Sequence, residues 1–170
     1  MLLQGTTVTT FMAELYYSEN TLRIYLDMCC YNRPYDDQSQ LKVAMETQSK
    51  LYIQRQIKDQ KLDLVSSYIL RYECSNNPFE MRRNTILDFI EENSFAYVGV
   101  ERRAEIEAKA NEIMKTGIKF KDACHIASAI YAKCELFIST DKRLLNFKTT
   151  EIKMVSSGCY LEDSRVEYKR

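Results

Sequence analysis

The 170-residue chain has no tryptophan, two prolines, four glycines and a single histidine, and its 24 basic residues cancel its 24 acidic ones. So little glycine and proline excludes collagen-like and low-complexity chains, and 45% hydrophobic residues supply enough apolar surface for a core, which excludes disorder. Neither sign of charge prevails. A large uniform positive field for polyanions is therefore absent, although a zero sum is compatible with a local basic rim. No stretch approaches the ~18 apolar residues of a transmembrane helix, so no membrane partner is expected. His125 and the six cysteines, at 29, 30, 74, 124, 134 and 159, include no CxxC pair, so their spacing is not that of a zinc site. Their scatter suits reduced thiols buried as small hydrophobes and predicts a cytoplasmic protein. Residues 1–20 carry no basic residue and are interrupted by Glu14, unlike a signal peptide, and are read as an N-terminal extension.

What is present is an alternation. The β-favouring run Leu22, Ile24, Tyr25, Leu26 stops at Asp27 and reads as a buried strand ending in a carboxylate. Asp36 and Asp37 open a long helical pattern, with Leu41, Ala44, Met45, Gln48, Leu51 and Tyr52 recurring at helical spacing to about Lys58. Leu62 to Val65 is a second strand, and Ser66 or Ser67 can cap a helix from Tyr68 to Cys74. A helix from Phe79 to Glu92, with Phe79, Ile86, Phe89 and Ile90 inward, leads to a third strand at Phe95 to Val98. The next helix, Val100 to Thr116, places Ile106, Ala110, Ile113 and Met114 on one face and ends at Gly117. A helix from Asp122, a strand at Leu136 to Ile138, a helical turn and a last strand at Ile152 to Val155 follow. Strands separated by helices predict an α/β domain with a central, mostly parallel sheet of four to five strands, because parallel neighbours need crossovers. We place this domain at residues 21–157 and a polar tail at 158–170.

In such open sheets the functional crevice lies beyond the carboxyl ends of the strands, at the point where strand order reverses. Asp27 and Asp141 follow strands, Asp122 begins a helix, and Glu73 lies about two turns into the helix after the second strand. Taken singly, each is an ordinary cap or turn residue. Taken together, four carboxylates on one rim repel and call for a counter-charge, and an all-oxygen set favours Mg²⁺ or Mn²⁺. Asp36 and Asp37, in the first turn of the long helix, are stabilised by its dipole and stay outside the site.

The segments Tyr25-Leu26-Asp27, Val65 to Glu73, Phe120 to Ala127 and Phe137 to Asp141 resemble, in order and spacing, the acidic motifs of PIN-domain nucleases, whose best known small members are VapC-type toxins. The resemblance implies a three-layer α/β/α domain and a Mg²⁺- or Mn²⁺-dependent ribonuclease that hydrolyses RNA by in-line attack of water, leaving a 5′-phosphate and a 3′-hydroxyl. It carries over Asp27, Glu73, Asp122 and Asp141 as catalytic metal ligands, with Thr140 as the hydroxyl residue that commonly precedes the last aspartate. It also implies an antitoxin protein and a homodimer as partners. Met28 stands where many members have Ser, Thr or Asn after the first aspartate.

Candidate RNA contacts are Asn32, Arg33, Lys121, Lys142 and Arg143, with Lys119 beside them, all within a few residues of the acids. Among twelve tyrosines, Tyr31 and Tyr35 lie nearest the first aspartate, and His125 reads as a packed histidine. Three other readings stand beside the nuclease. An aspartyl phosphatase expects a second Asp where Cys29 stands, and a receiver domain expects paired acids near the first strand and a lysine after the last. A catalytically silent PIN-like module that binds RNA or protein would keep all four acids.

Overall fold

Strand β1, Leu22–Leu26, is apolar on both sides: Ile24, Tyr25 and Leu26 are fully buried, as befits the middle of a parallel sheet covered on both faces. The computed structural model describes residues 21–160, so the expected extension and most of the expected tail lie outside the described residues. After β1 come helix α1 (Met28–Asn32), a 3₁₀ turn at Arg33–Tyr35, and helix α2 (Leu41–Lys58). Strand β2 (Leu62–Ser67), α3 (Tyr68–Ser75), α4 (Glu80–Asn93) and β3 (Ser94–Val98) follow. The chain continues through α5 (Arg103–Met114), α6 (Phe120–Tyr131), β4 (Leu136–Ser139), the short α7 (Lys142–Leu145) and β5 (Lys153–Ser156).

The five strands are parallel and lie in the order β3-β2-β1-β4-β5. The order reverses between β1 and β4, so the switch point falls where Asp27 and Asp141 leave the sheet. Register fixes their proximity. Leu26 pairs with Ile138, and the Asp27 amide donates to the Ile138 carbonyl at 2.9 Å. On one face Tyr25 stacks on Phe137 with centroids 5.4 Å apart and meets His125 of α6; Tyr31 of α1 packs on Phe89 of α4. Helices thus cover both faces of the sheet, making three layers.

Several expected faces differ. Helix α2 starts at Leu41 rather than at the acidic pair, because Asp36 is held by Arg33 and Asp37 closes a turn by accepting from the Ser39 amide. Its buried residues are Thr47, Ser49, Lys50, Ile53 and Ile57, while Leu41 and Met45 are 76% and 62% exposed. Ile53 and Ile57, four apart near the carboxyl end, set the inner face; the amino-terminal half leans on the 3₁₀ turn, tied by an Arg33–Glu46 ion pair at 2.6 Å. Phe79, expected inward, is the N-cap of α4 with extended backbone, which turns its ring out. Met114 is also partly exposed, and helix α5 is preceded by a separate 3₁₀ turn at Val100–Arg102. Helix α6 begins at Phe120, so Asp122 sits inside its first turn. Residues 157–160, assigned in part to the tail, are helical, and Tyr160 packs on the core.

Candidate active site at the carboxyl edge of the sheet

Asp27 ends β1 and caps α1, one carboxylate oxygen accepting from the Met28 amide at 2.8 Å. Its other oxygen accepts from the Ser139 hydroxyl at 2.8 Å and from the Cys29 thiol at 3.0 Å. The residue is only 6% exposed, and burial pushes its pKa well above the usual carboxylate range. Asp141 caps α7 by accepting from the Arg143 amide, and its carboxylate is clasped by the Arg143 guanidinium at 2.6 Å, which holds its pKa low.

Glu73, on α3, is gripped at both oxygens. Lys121 donates to one at 2.7 Å and His125 Nε2 meets the other at 2.8 Å; burial raises its pKa, but these two partners outweigh burial and hold it down at about 2. Lys121 and His125 are four apart on α6, so one helix face presents both. His125 is fully buried and its Nδ1 meets the Tyr25 hydroxyl at 2.8 Å, which in turn meets Ser67 at 2.6 Å. Burial keeps Tyr25 protonated by raising its pKa. Ser67 also caps α3 by accepting from the Leu70 amide at 3.2 Å. A line of hydrogen bonds therefore runs from the cap of α3, through the core, back to Glu73 on the same helix.

Asp122 is half-buried, with no hydrogen bond among the described residues. It belongs to the same rim, because its charge, with that of Glu73 and Asp27, helps hold the Lys121 amine above its ordinary pKa, and with Asp141 it does the same for Arg143. The four acids thus share one edge and two cations. They do not form a ready ligand shell: among the described residues no three acidic, histidine or cysteine side chains are posed to hold one ion. In kind they still suit a hard divalent cation, since the donors are carboxylate oxygens and two of them already draw a positive partner.

Of the expected substrate residues, Lys121 and Arg143 are these two partners, and Arg33 is engaged by Asp36 and Glu46 rather than by any of the four site acids. Lys142 is exposed without an ion pair among the described residues, and Asn32 lines a cavity that Glu73 also lines. The Thr140 hydroxyl is buried without a hydrogen-bond partner among the described residues. The hydroxyl that reaches a carboxylate is that of Ser139, one position earlier. With Met28 after the first aspartate, the side chains that donate to Asp27 are those of Ser139 and Cys29. Counting register from Leu26 opposite Ile138 would have placed Ser139 against Asp27, and the i,i+4 spacing of Lys121 and His125 would have paired them. Tyr31 is buried in the core, and the exposed aromatics that line a cavity with Glu73 are Tyr72 and Phe79.

The all-parallel sheet, covered by helices and carrying acids at the carboxyl edge by its switch point, defines a three-layer α/β/α fold. The sequence matches the PIN domain over residues 43–149, and the chain belongs to that family. Glu73, Asp122 and Asp141 fall within the matched span, and Asp27 precedes it. A solved structure, VapBC2 from Rickettsia felis bound to a DNA fragment from their promoter, is similar at 11% identity and a TM-score of 0.49, covering 79% of this chain and 98% of that one. No curated protein matches the sequence.

Proposed function

We propose that this PIN-domain protein is a nuclease that hydrolyses RNA phosphodiester bonds with Mg²⁺ or Mn²⁺. The observation that carries the reading is the placement of Asp27 and Asp141 at neighbouring strand ends, joined through Ser139, with Glu73 and Asp122 on the same rim. Asp27 and Asp141 would hold the metal, with Glu73 and Asp122 binding it directly or through water. A bound divalent ion lowers the pKa of a coordinated water and offsets charge developing on the phosphate. The chain's own part is positioning. Ser139 and the Met28 amide fix the Asp27 oxygens, and His125 fixes one oxygen of Glu73. Lys121 and Arg143 neutralise Glu73 and Asp141 and, with a metal held by the acids, would lie beside the rim to meet phosphate oxygens.

The test is incubation of the purified chain with single-stranded RNA and Mn²⁺ or Mg²⁺. Cleavage is expected, abolished by EDTA and reduced at least 100-fold by Asp27→Asn, on the scale of losing a principal electrostatic group. Cleavage that survives both overturns the proposed site. The two ion pairs favour one second reading, a silent module in which Lys121 and Arg143 permanently replace the metal; absence of Mn²⁺-dependent cleavage together with RNA binding would select it. The nuclease reading extends to a toxin with an antitoxin partner and a dimer of the chain, for which co-purification and sedimentation are the direct measurements.

A further inference from the structure

Beside Glu73 the surface opens into a cavity of about 340 Å³, whose walls include Tyr72, Glu73, Phe79, Asn32, Arg82 and Lys121. We propose that this cavity binds one unpaired base of a single-stranded nucleic acid, next to the phosphodiester positioned at the acidic rim; the proposal rests on the nuclease reading for the identity of the polymer. Three observations carry it. The first is exposure of aromatic surface: Tyr72 and Phe79 are each 63% exposed on the cavity wall, where sheet and helix packing would have buried them had they served the core. Aromatic faces of this kind stack on any base.

The second is composition. An apolar protein side chain would be matched by a dry wall, whereas here the rings alternate with amide and charged groups. The Arg82 guanidinium lies 4.9 Å from the Phe79 centroid and 4.8 Å from that of Tyr35, which braces the Phe79 ring and places positive charge beside it. Among the described residues the Asn32 side-chain amide donates to no partner, leaving a donor for the edge of a base. The third is position and size. Glu73 and Lys121 belong both to the rim and to this cavity, so a strand with a phosphate at the rim brings its neighbouring base to the aromatic wall. The volume lies near the lower end of the roughly 300–1,000 Å³ typical of small-ligand sites, room for a nucleotide rather than a folded segment. Bases in a duplex are stacked on each other and cannot enter, so the cavity selects single strands.

The experiment measures binding by fluorescence anisotropy with the full chain in EDTA, which separates it from cleavage. The probes are a short labelled single-stranded RNA, the same strand with each base in turn replaced by an abasic ribose, and the duplex. One abasic position is expected to weaken binding about 5- to 150-fold, the range of one base–aromatic stack. Phe79→Ala and Tyr72→Ala should each weaken the intact strand within that range, abolish the further effect of the abasic position, and leave duplex binding unchanged. Both rings are exposed, so the variants should melt with the parent. Parental affinity in both variants, equal losses on single strand and duplex, additive effects of variant and abasic position, or no RNA binding each overturns the proposal. Tight capture of a protein partner that Phe79→Ala abolishes, with RNA binding intact, would reassign the cavity to that partner. Failure of cleavage alone leaves these results standing and strikes only the nuclease reading.

Discussion

Lys50 is a poorly accommodated charge. It is 5% exposed on the inner face of α2, has no ion pair among the described residues, and its amine lies 5.9 Å from the Tyr31 ring. Burial lowers its pKa to about 8 from an unfolded value near 10.5. Below pH 8 the folded state therefore carries the full penalty of a buried ammonium. Between about 8 and 10.5 the unfolded chain binds the proton that the folded one has released, so stability from this residue rises with pH. Replacement by the similarly long, uncharged methionine is expected to stabilise the protein at pH 7 by about 1–3 kcal/mol, with the gain shrinking toward pH 10.5. Chemical denaturation at pH 7 and 10 measures both. At this same scale His125 shows how one buried residue can be fully satisfied. With Nε2 donating to Glu73, Nδ1 accepts from Tyr25, Tyr25 from Ser67, and Ser67 from the Leu70 amide, so every donor in the line has an acceptor.

Among the elements, α5 ends where Gly117 adopts φ +94°, a conformation that L side chains disfavour, and an added Cβ would meet no heavy atom within 4 Å. The cost of Gly117→Ala is then backbone strain alone, about 1–2 kcal/mol, read as a melting temperature lower by roughly 2–8 °C. Gly117→Asn, which tolerates this conformation better, should recover part of the loss. This stop signal was legible in the sequence, as were all five strands, because buried runs such as Ile24–Leu26 and Phe137–Ile138 are short and apolar and lead within three residues to an aspartate. The inner face of α2 was not. Thr47 and Lys50 point inward while Leu41 and Met45 point out, so the pattern that marks a face is inverted there. The acids after β1 and β4 were legible as strand ends, but their partners depend on register and on helix-to-helix approach. That is why Ser139 and the His125 clasp on Glu73 emerge only in three dimensions.

For the molecule as a whole, zero net charge describes a rim on which acids already hold the nearest cations. Lys119 and Lys142 are exposed without ion pairs among the described residues, whereas Lys121 and Arg143 are engaged. Binding of single-stranded RNA without metal should accordingly depend weakly on salt, with log K falling against log[salt] at a slope near −1.4, about −0.7 for each of two phosphates neutralised. Addition of Mn²⁺ to cleavage-deficient protein should steepen the slope toward about −2.8 if Lys121 and Arg143 are released to phosphate. Titrations from 50 to 300 mM salt, a span of ~sixfold, resolve the difference. The all-parallel order of the sheet has a further consequence, in time rather than space. Asp27 receives its hydroxyl partner from Ser139, 112 residues later in the chain. At ~5–20 residues per second of synthesis, that carboxylate waits roughly 6–22 s on the ribosome for the strand that finishes it. Until β4 emerges, the nascent chain has a central strand with one open edge and an acidic rim lacking its last aspartate. The chemistry proposed here therefore cannot begin before β4 and Asp141 have been made.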